Sequence, residues 1–282
     1  MGWQLSQVPT PATPQARRYH ETMADLTSPQ PLSVRLRETW AAMRLAAFVL
    51  VLALTPATYR DPAVRAALAR QIALGTGPLL AWFTVLVAVG SLVLIRIVMV
   101  TAASYGLNRY ALDMVVRVLV LELIPLVAAL AVAVRITLPA GVVLASAQGL
   151  ADRDALRRHG HDPLAAEGVP HVVAGVFAVV ALAAVSCAVA LVLAYLVAHG
   201  FTPAALDAYT RKVGQVFTPA LSLVFVLKTL ALSLTVSLVP VVSALRAASQ
   251  PGSGTLAEVG SLVRMFLLIL LIEIGSLMVN YA

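Results

Sequence analysis

Long runs of apolar residues without any charge recur along the chain. Two of them, residues 72–95 and 172–198, hold 24 and 27 residues. A helix needs about 20 such residues to cross the hydrocarbon core of a bilayer. Strands of a membrane barrel would alternate apolar and polar residues in segments of about 10, and these runs do not alternate. The pattern therefore predicts an all-α polytopic membrane protein.

Five membrane-spanning helices are predicted from the positions of these runs. They lie at about residues 75–100, 114–147, 172–198, 217–245 and 263–281. The charges between the second and third spans, in residues 151–171, predict a short charged helix that ends at Gly160 and Pro163. After the third span, Thr202 and Pro203 begin a predicted surface helix, because proline is favoured in the first turn.

The first 71 residues follow a different pattern. Residues 1–32 contain five of the 16 prolines and many polar residues, which predicts a disordered tail. In residues 33–71 arginines alternate with apolar groups, and the uncharged stretch 45–59 is 15 residues long and broken by Pro56. Such a stretch suits an amphipathic helix in the headgroup region, with a tilted or re-entrant span as the alternative. Residues 72–282 then form the five-span domain.

Composition and charge support this interpretation. Hydrophobic residues make up 60 % of the chain and charged residues 12 %, whereas soluble domains have about 45–50 % and 25 %, so a soluble enzyme is excluded. The net charge of +7 does not indicate a nucleic-acid partner, because the arginines flank apolar runs and there set topology. Twelve arginines lie on the side of the membrane that holds the N-terminus and residues 151–171, whereas three cations lie on the other side. The positive-inside rule predicts a cytoplasmic N-terminus and, after five spans, an outside C-terminus.

The chain lacks the sequence motifs of nucleotide and metal chemistry. It contains no P-loop, no dinucleotide fingerprint and no H-E-x-x-H zinc motif. His159 and His161 are two residues apart and would not share a helix face. We therefore expect no metal and no cofactor, and any ATP must be hydrolysed by another chain. An odd number of spans without a visible repeat fits one half of a homodimer better than an inverted-repeat transporter.

Ionisable residues inside the predicted spans are the candidates for a site, because charge at membrane depth is costly and marks a paired or functional group. They are Arg96, Arg117, Glu122, Arg135, Lys228 and Glu273. Glu122 and Lys228 lie deepest, and either Lys228 or Arg96 could pair with Glu122. Arg117 lies about 140° around the helix from Glu122 and is not the expected partner. Pro125 predicts a helix kink beside this acid.

Two segments resemble a known family. Residues 121–130 read L-E-L-I-P-L-V-A-A-L, followed by Arg135, and residues 154–163 read D-A-L-R-R-H-G-H-D-P without a gap. These segments resemble the MlaE/YrbE-type permeases, the membrane subunits of ABC transporters that work with MCE proteins on lipids. Weaker similarities are found at Arg70-Gln71, Tyr105, Val169-Pro170-His171, Lys228 and residues 257–260. The resemblance covers about residues 68–275.

The resemblance implies a multi-pass subunit of the bacterial inner membrane, with the N-terminus cytoplasmic and the C-terminus periplasmic. It implies a separate ATPase subunit, a periplasmic MCE-domain protein, and a homodimer or heteromeric permease pair. The residues implied to bind lipid are Leu94, Tyr105, Glu122 and Lys228. Residues 151–163 would form the coupling helix, and the residues implied to contact the ATPase are Asp154, Leu156, Arg157, Gly160, Asp162 and Pro163.

Departures from the family pattern leave two other functions open. Leu121 stands where the family has Arg, and Ile124 stands where it has Gly. Residues 150–152 replace the family's T-E-Q, and its A-E-[LI]-G is absent from residues 142–145. The chain could therefore be a pseudo-permease that anchors an MCE protein or an ATPase without passing lipid. A secondary transporter that uses Glu122 and Glu273 as proton carriers is the third hypothesis.

Overall fold

The computed structural model describes residues 32–158, 164–247 and 254–281. These residues are helical almost throughout, and no strand occurs among them. The tail predicted for residues 1–32 lies outside the described residues, apart from Leu32. The chain divides into two compact units, residues 1–43 and 44–282. The five spans and all sites described below belong to the second unit.

The five predicted spans and the all-α fold are confirmed. The spans are Val64–Ser104, Tyr110–Ala145, Ala166–His199, Pro219–Arg246 and Gly260–Asn280. They are preceded by the helix Leu32–Leu54, whose apolar part, Trp40–Leu54, is shorter than a span. Two short helices join it to the first span: a 3₁₀ turn at Pro56–Arg60 and an α-helix at Pro62–Gln71.

The first span begins earlier than residue 75, where the charge-free run suggested it. Its helix continues without a break from Pro62–Gln71 through Ile72–Thr76 into Gly77–Ser104. Residues 62–71 contain four alanines and two arginines, which are among the strongest helix formers. The arginines shorten the hydrophobic run but do not interrupt the helix.

Prolines set the local geometry of three spans. Each π-helical segment among the described residues ends two residues before a proline. The pairs are Ile72–Thr76 with Pro78, Val116–Leu123 with Pro125, Ala133–Thr137 with Pro139, and Leu164–Gly168 with Pro170. Proline has no N–H for the usual helical bond and crowds the carbonyl four residues back, so the preceding turn widens. The distortion expected at Pro125 takes this form.

The third and fourth spans form the centre of the bundle. The third packs against the first, second and fourth spans, and the fourth also packs against the second and fifth. Gly175 allows the third and fourth spans to approach closely, since an added Cβ would lie only 2.5 Å from Ser237 Oγ. The largest fully buried side chains are Phe83, Ile95, Leu182, Leu232 and Met265. Many apolar side chains on the outer faces are exposed, as expected for helices that contact lipid.

The connections are short and helical. The second span ends at Ala145 because Ser146 is extended, and the Ser146 hydroxyl then accepts a hydrogen bond from the Gly149 amide at 3.3 Å. This cap begins the helix Ala147–Arg158, which we call the connecting helix. The third span ends at Gly200, whose φ of +64° favours glycine.

The surface helix predicted at Thr202 and Pro203 is confirmed. It consists of Pro203–Ala205 and Leu206–Val216. The Tyr209 hydroxyl donates a hydrogen bond to the Leu191 carbonyl at 2.7 Å, which holds this helix on the third span. Burial raises the pKa of Tyr209 to about 12.

Candidate functional site

A buried cluster of charged residues lies between the second, fourth and fifth spans. The Lys228 ammonium donates hydrogen bonds to Glu122 Oε2 and to Glu273 Oε1, the latter at 2.7 Å. The Lys228 side chain is 1 % exposed, and those of Glu122 and Glu273 are 10 % and 15 % exposed. The sequence allowed two partners for Glu122. In the structure the partner is Lys228, and Arg96 is exposed.

The end of the fifth span completes this cluster. The Asn280 amide donates a hydrogen bond from Nδ2 to Glu122 Oε1 at 2.6 Å and lies 3.5 Å from Ser276 Oγ. Sequence reasoning missed Asn280 and did not place Glu273 with Glu122. A polar residue at the very end of an apolar span was the only available signal for Asn280. Together the four side chains of Glu122, Lys228, Glu273 and Asn280 form what we call the charged cluster.

The π-helical segment Val116–Leu123 carries Glu122 into the cluster. The amide of Ile124 bonds to the Leu119 carbonyl, five residues back, because the turn before Pro125 is widened. Glu122 lies about 12 residues from the Tyr110 end of its span, and Lys228 lies 9 residues from the Pro219 end. The charged cluster therefore lies in the half of the bundle that the charge count predicts to be periplasmic.

The cluster has unused hydrogen-bonding capacity. Glu273 Oε2 and Asn280 Oδ1 are buried and have no hydrogen-bond partner among the described residues. A lysine ammonium has three donors, of which two are used here by carboxylates. The cluster can therefore accept hydrogen bonds from an ammonium or hydroxyl group. A phosphate group would have to take the third donor of Lys228 or displace a carboxylate.

The other two residues predicted to bind lipid are not part of this cluster. Leu94 is 37 % exposed on the outer side of the first span, and Tyr105, at the end of the same helix, is 76 % exposed. The structure thus brings Glu122 and Lys228 together and leaves Leu94 and Tyr105 on the surface. The assignment of all four residues to lipid stays a prediction.

The remaining ionisable residues of the spans have other surroundings. Arg117 pairs with Asp113 at 3.2 Å, one turn away, and not with Glu122, as the helical spacing predicted. The Arg135 guanidinium lies 5.8 Å from the centroid of the Trp82 ring. This distance permits a cation–π contact.

Six residues were predicted to contact an ATPase, and those that the structure describes lie on the connecting helix. Asp154 is exposed and Leu156 is half-buried on Ala147–Arg158. Gly160, Asp162 and Pro163, together with His159, His161 and the side chain of Arg157, lie outside the described residues. Within the described parts of the chain, no group of three or more His, Cys, Asp or Glu residues could hold a metal ion.

Arg153 fixes the connecting helix to two spans. Its buried guanidinium donates hydrogen bonds to the Leu144 carbonyl and, from Nε at 3.1 Å, to the Gly149 carbonyl. Glu167 Oε2, at the start of the third span, lies 3.8 Å from the same Nε. From the sequence, Arg153 was only one of several charges in the predicted charged helix. Arg153 thus links the connecting helix to the last turn of the second span and the first turn of the third.

Comparison with known families agrees with this architecture. The model of the family described as Permease MlaE matches residues 68–278 of the chain. The matched region includes the connecting helix, the charged cluster apart from Asn280, and almost all of the five spans. No curated protein matches the chain at a significant level.

Proposed function

The chain belongs to the MlaE permease family, and from this premise we propose that it is the membrane subunit of an ABC transporter for phospholipid or a related lipid. In this proposal the lipid passes between the inner membrane and a periplasmic MCE-domain protein. The observation that carries the proposal is the extent of the family match, which covers three quarters of the chain and reaches from the first span to the fifth. The family implies a permease subunit and not an enzyme.

The energy source would be a separate ATPase subunit that docks on the connecting helix. The sequence contains no P-loop, so ATP hydrolysis needs a partner chain. Leu156 offers an apolar contact and Asp154 a charged one on this short helix. Because Arg153 ties the helix to the ends of two spans, movement of a docked ATPase would reach both spans directly.

The lipid would bind in the outer part of the membrane, between two permease chains. Leu94 and Tyr105 are exposed on the first span and would contact acyl chains across the interface of a homodimer or heteromeric pair. The charged cluster would supply polar groups for the headgroup, since lipid sites combine an apolar wall with a few placed polar groups. The free acceptors Glu273 Oε2 and Asn280 Oδ1 support this role.

Lipid transfer by a reconstituted complex tests the proposal. The chain is co-expressed with a candidate ATPase subunit and an MCE-domain protein, and the complex is placed in liposomes that contain fluorescent phospholipid. We expect lipid to move between the liposomes and the MCE protein only with ATP. A complex whose ATPase carries an inactivating substitution is the control. Flux driven by a proton gradient through this chain alone would instead support a secondary transporter.

A non-transporting role is the second candidate, and one observation favours it. Leu121 and Ile124 are 4 % and 2 % exposed, so core aliphatic residues fill the positions at which the family has Arg and Gly. A pseudo-permease would assemble with its partners and allow ATP hydrolysis, but no lipid would move. The transfer assay distinguishes the two functions when ATP hydrolysis is recorded in the same sample.

A further inference from the structure

A cavity of about 570 Å³ lies at the end of the bundle opposite the charged cluster. Its polar wall includes Arg70, Gln71, Arg135 and His171, contributed by the first, second and third spans. Arg135 is 13 residues from Glu122 on the same span, which corresponds to about 20 Å along a helix. The cavity is therefore separate from the charged cluster and lies on the side predicted to be cytoplasmic.

Neither arginine of this cavity has an acidic partner among the residues that the structure describes. No carboxylate of a described residue lies within ion-pairing distance of Arg70 or Arg135. Arg135 is held from one side by its contact with the Trp82 ring, which leaves the edge of the guanidinium available for hydrogen bonds. The cavity thus presents two permanent positive charges with unused donors.

Neighbouring polar groups are fixed, and much of the remaining lining is apolar. His171 Nδ1 lies 2.7 Å from the Glu167 carbonyl, and Gln71 Nε2 lies 3.0 Å from the same ring nitrogen. The lining also includes Ile136, Ala140 and other aliphatic side chains. The cavity therefore combines groups that suit an anion with groups that suit a hydrocarbon chain.

We propose that this cavity binds the phosphate group of an acidic phospholipid from the adjacent leaflet. Guanidinium groups match the oxygens of phosphate in geometry and charge, and basic pockets between spans on the cytoplasmic side bind anionic headgroups. A free phosphate or a nucleotide would use the arginines but would leave the aliphatic wall exposed to water. This proposal requires that the chain lies in a membrane. It does not require that the chain transports lipid.

Lipid binding to the purified full-length chain tests this site without ATP or partners. Phosphatidylglycerol is titrated into the chain in detergent, and bound lipid is counted by native mass spectrometry. We expect Arg70→Gln and Arg135→Gln each to weaken binding by at least about tenfold, as the loss of a charged hydrogen bond implies. Arg65→Gln is the matched control, because Arg65 is exposed on the same helix but does not line the cavity.

Two further measurements separate the lipid from other sources of phosphate. Ala140→Phe narrows the apolar part of the cavity and should weaken phosphatidylglycerol binding, with an unchanged unfolding temperature. Inorganic phosphate should not compete with the lipid at equal concentration. The proposal is overturned if Arg65→Gln weakens binding as much as the two cavity variants, if neither cavity variant has an effect, or if inorganic phosphate displaces the lipid.

Discussion

Replacement of Lys228 by methionine removes the cation that Glu122 and Glu273 share. Methionine has a similar length and no charge, so the change leaves little empty space but two buried carboxylates without a counter-ion. Removal of one partner from a buried ion pair costs about 3–5 kcal/mol. Because the free energy of unfolding of a protein is about 5–15 kcal/mol, Lys228→Met should be strongly destabilising.

Substitutions of the acids should cost less, because the cluster contains two acids and one base. In Glu122→Gln, Lys228 keeps its bond to Glu273 at 2.7 Å, and the glutamine can still accept a hydrogen bond. We expect a loss of about 1–2 kcal/mol for this variant. A triple variant that combines Lys228→Met with glutamine at both acids carries no charge and should recover most of the stability lost in Lys228→Met.

Reversible unfolding in mixed micelles, followed by circular dichroism, measures these differences. Arg117→Met is the matched control, because it also removes a cation from a span. Both side chains of the Arg117–Asp113 pair are more than one-third exposed, and such a pair contributes about 0–1 kcal/mol to stability. If Lys228→Met loses no more stability than Arg117→Met, the charged cluster does not stabilise the bundle and the reasoning is wrong. The same conclusion follows if the triple variant is as unstable as Lys228→Met.

Three other predictions follow from the proposed roles of particular residues. Glu122→Ala leaves the Lys228–Glu273 pair in place, so it should give a folded protein with less co-purified phospholipid; wild-type lipid content and transport would exclude Glu122 from the lipid site. Leu156→Glu should reduce co-purification of the ATPase subunit while the chain stays in the membrane, with Arg158→Glu, exposed on the same helix, as the control; equal retention in both variants would contradict docking at Leu156. A reporter fused after Ala282 should be periplasmic, because five spans follow a cytoplasmic N-terminus; a cytoplasmic signal would mean that residues 45–59 span the membrane or that one of the five helices does not.

The number of spans could be predicted because it depends mainly on the length of charge-free runs. The ends of the spans were less predictable. Arg65 and Arg70 shorten the first run although the helix continues through them, and Ser146 ends the second span by adopting an extended conformation. Pro125 marked a point at which the second span would be distorted, and the structure adds that the turn before it is widened. The widened turn before Pro139 was not predicted.

The candidate site was only partly predictable. Helical spacing argued against Arg117 as the partner of Glu122, and Lys228 and Arg96 on other spans were the candidates. The sequence could not choose between them or add Asn280, because a span that is apolar all round carries no pattern that fixes its rotation. Arg153 was equally hidden, since its importance depends on contacts with the Leu144 carbonyl and with Glu167, which lie on the two spans that flank the connecting helix.

The rate of ATP-dependent phospholipid transfer, measured together with ATP hydrolysis in one reconstituted complex, tests the central claim most directly. Samples that contain the wild-type chain, Leu156→Glu or no permease chain are prepared with equal amounts of added ATPase, and the ATPase retained in each is measured. We expect lipid transfer to require both ATP and this chain. In Leu156→Glu, the transfer rate should fall in proportion to the amount of ATPase lost from the complex. Steady ATP hydrolysis by the intact complex without any lipid transfer would contradict it.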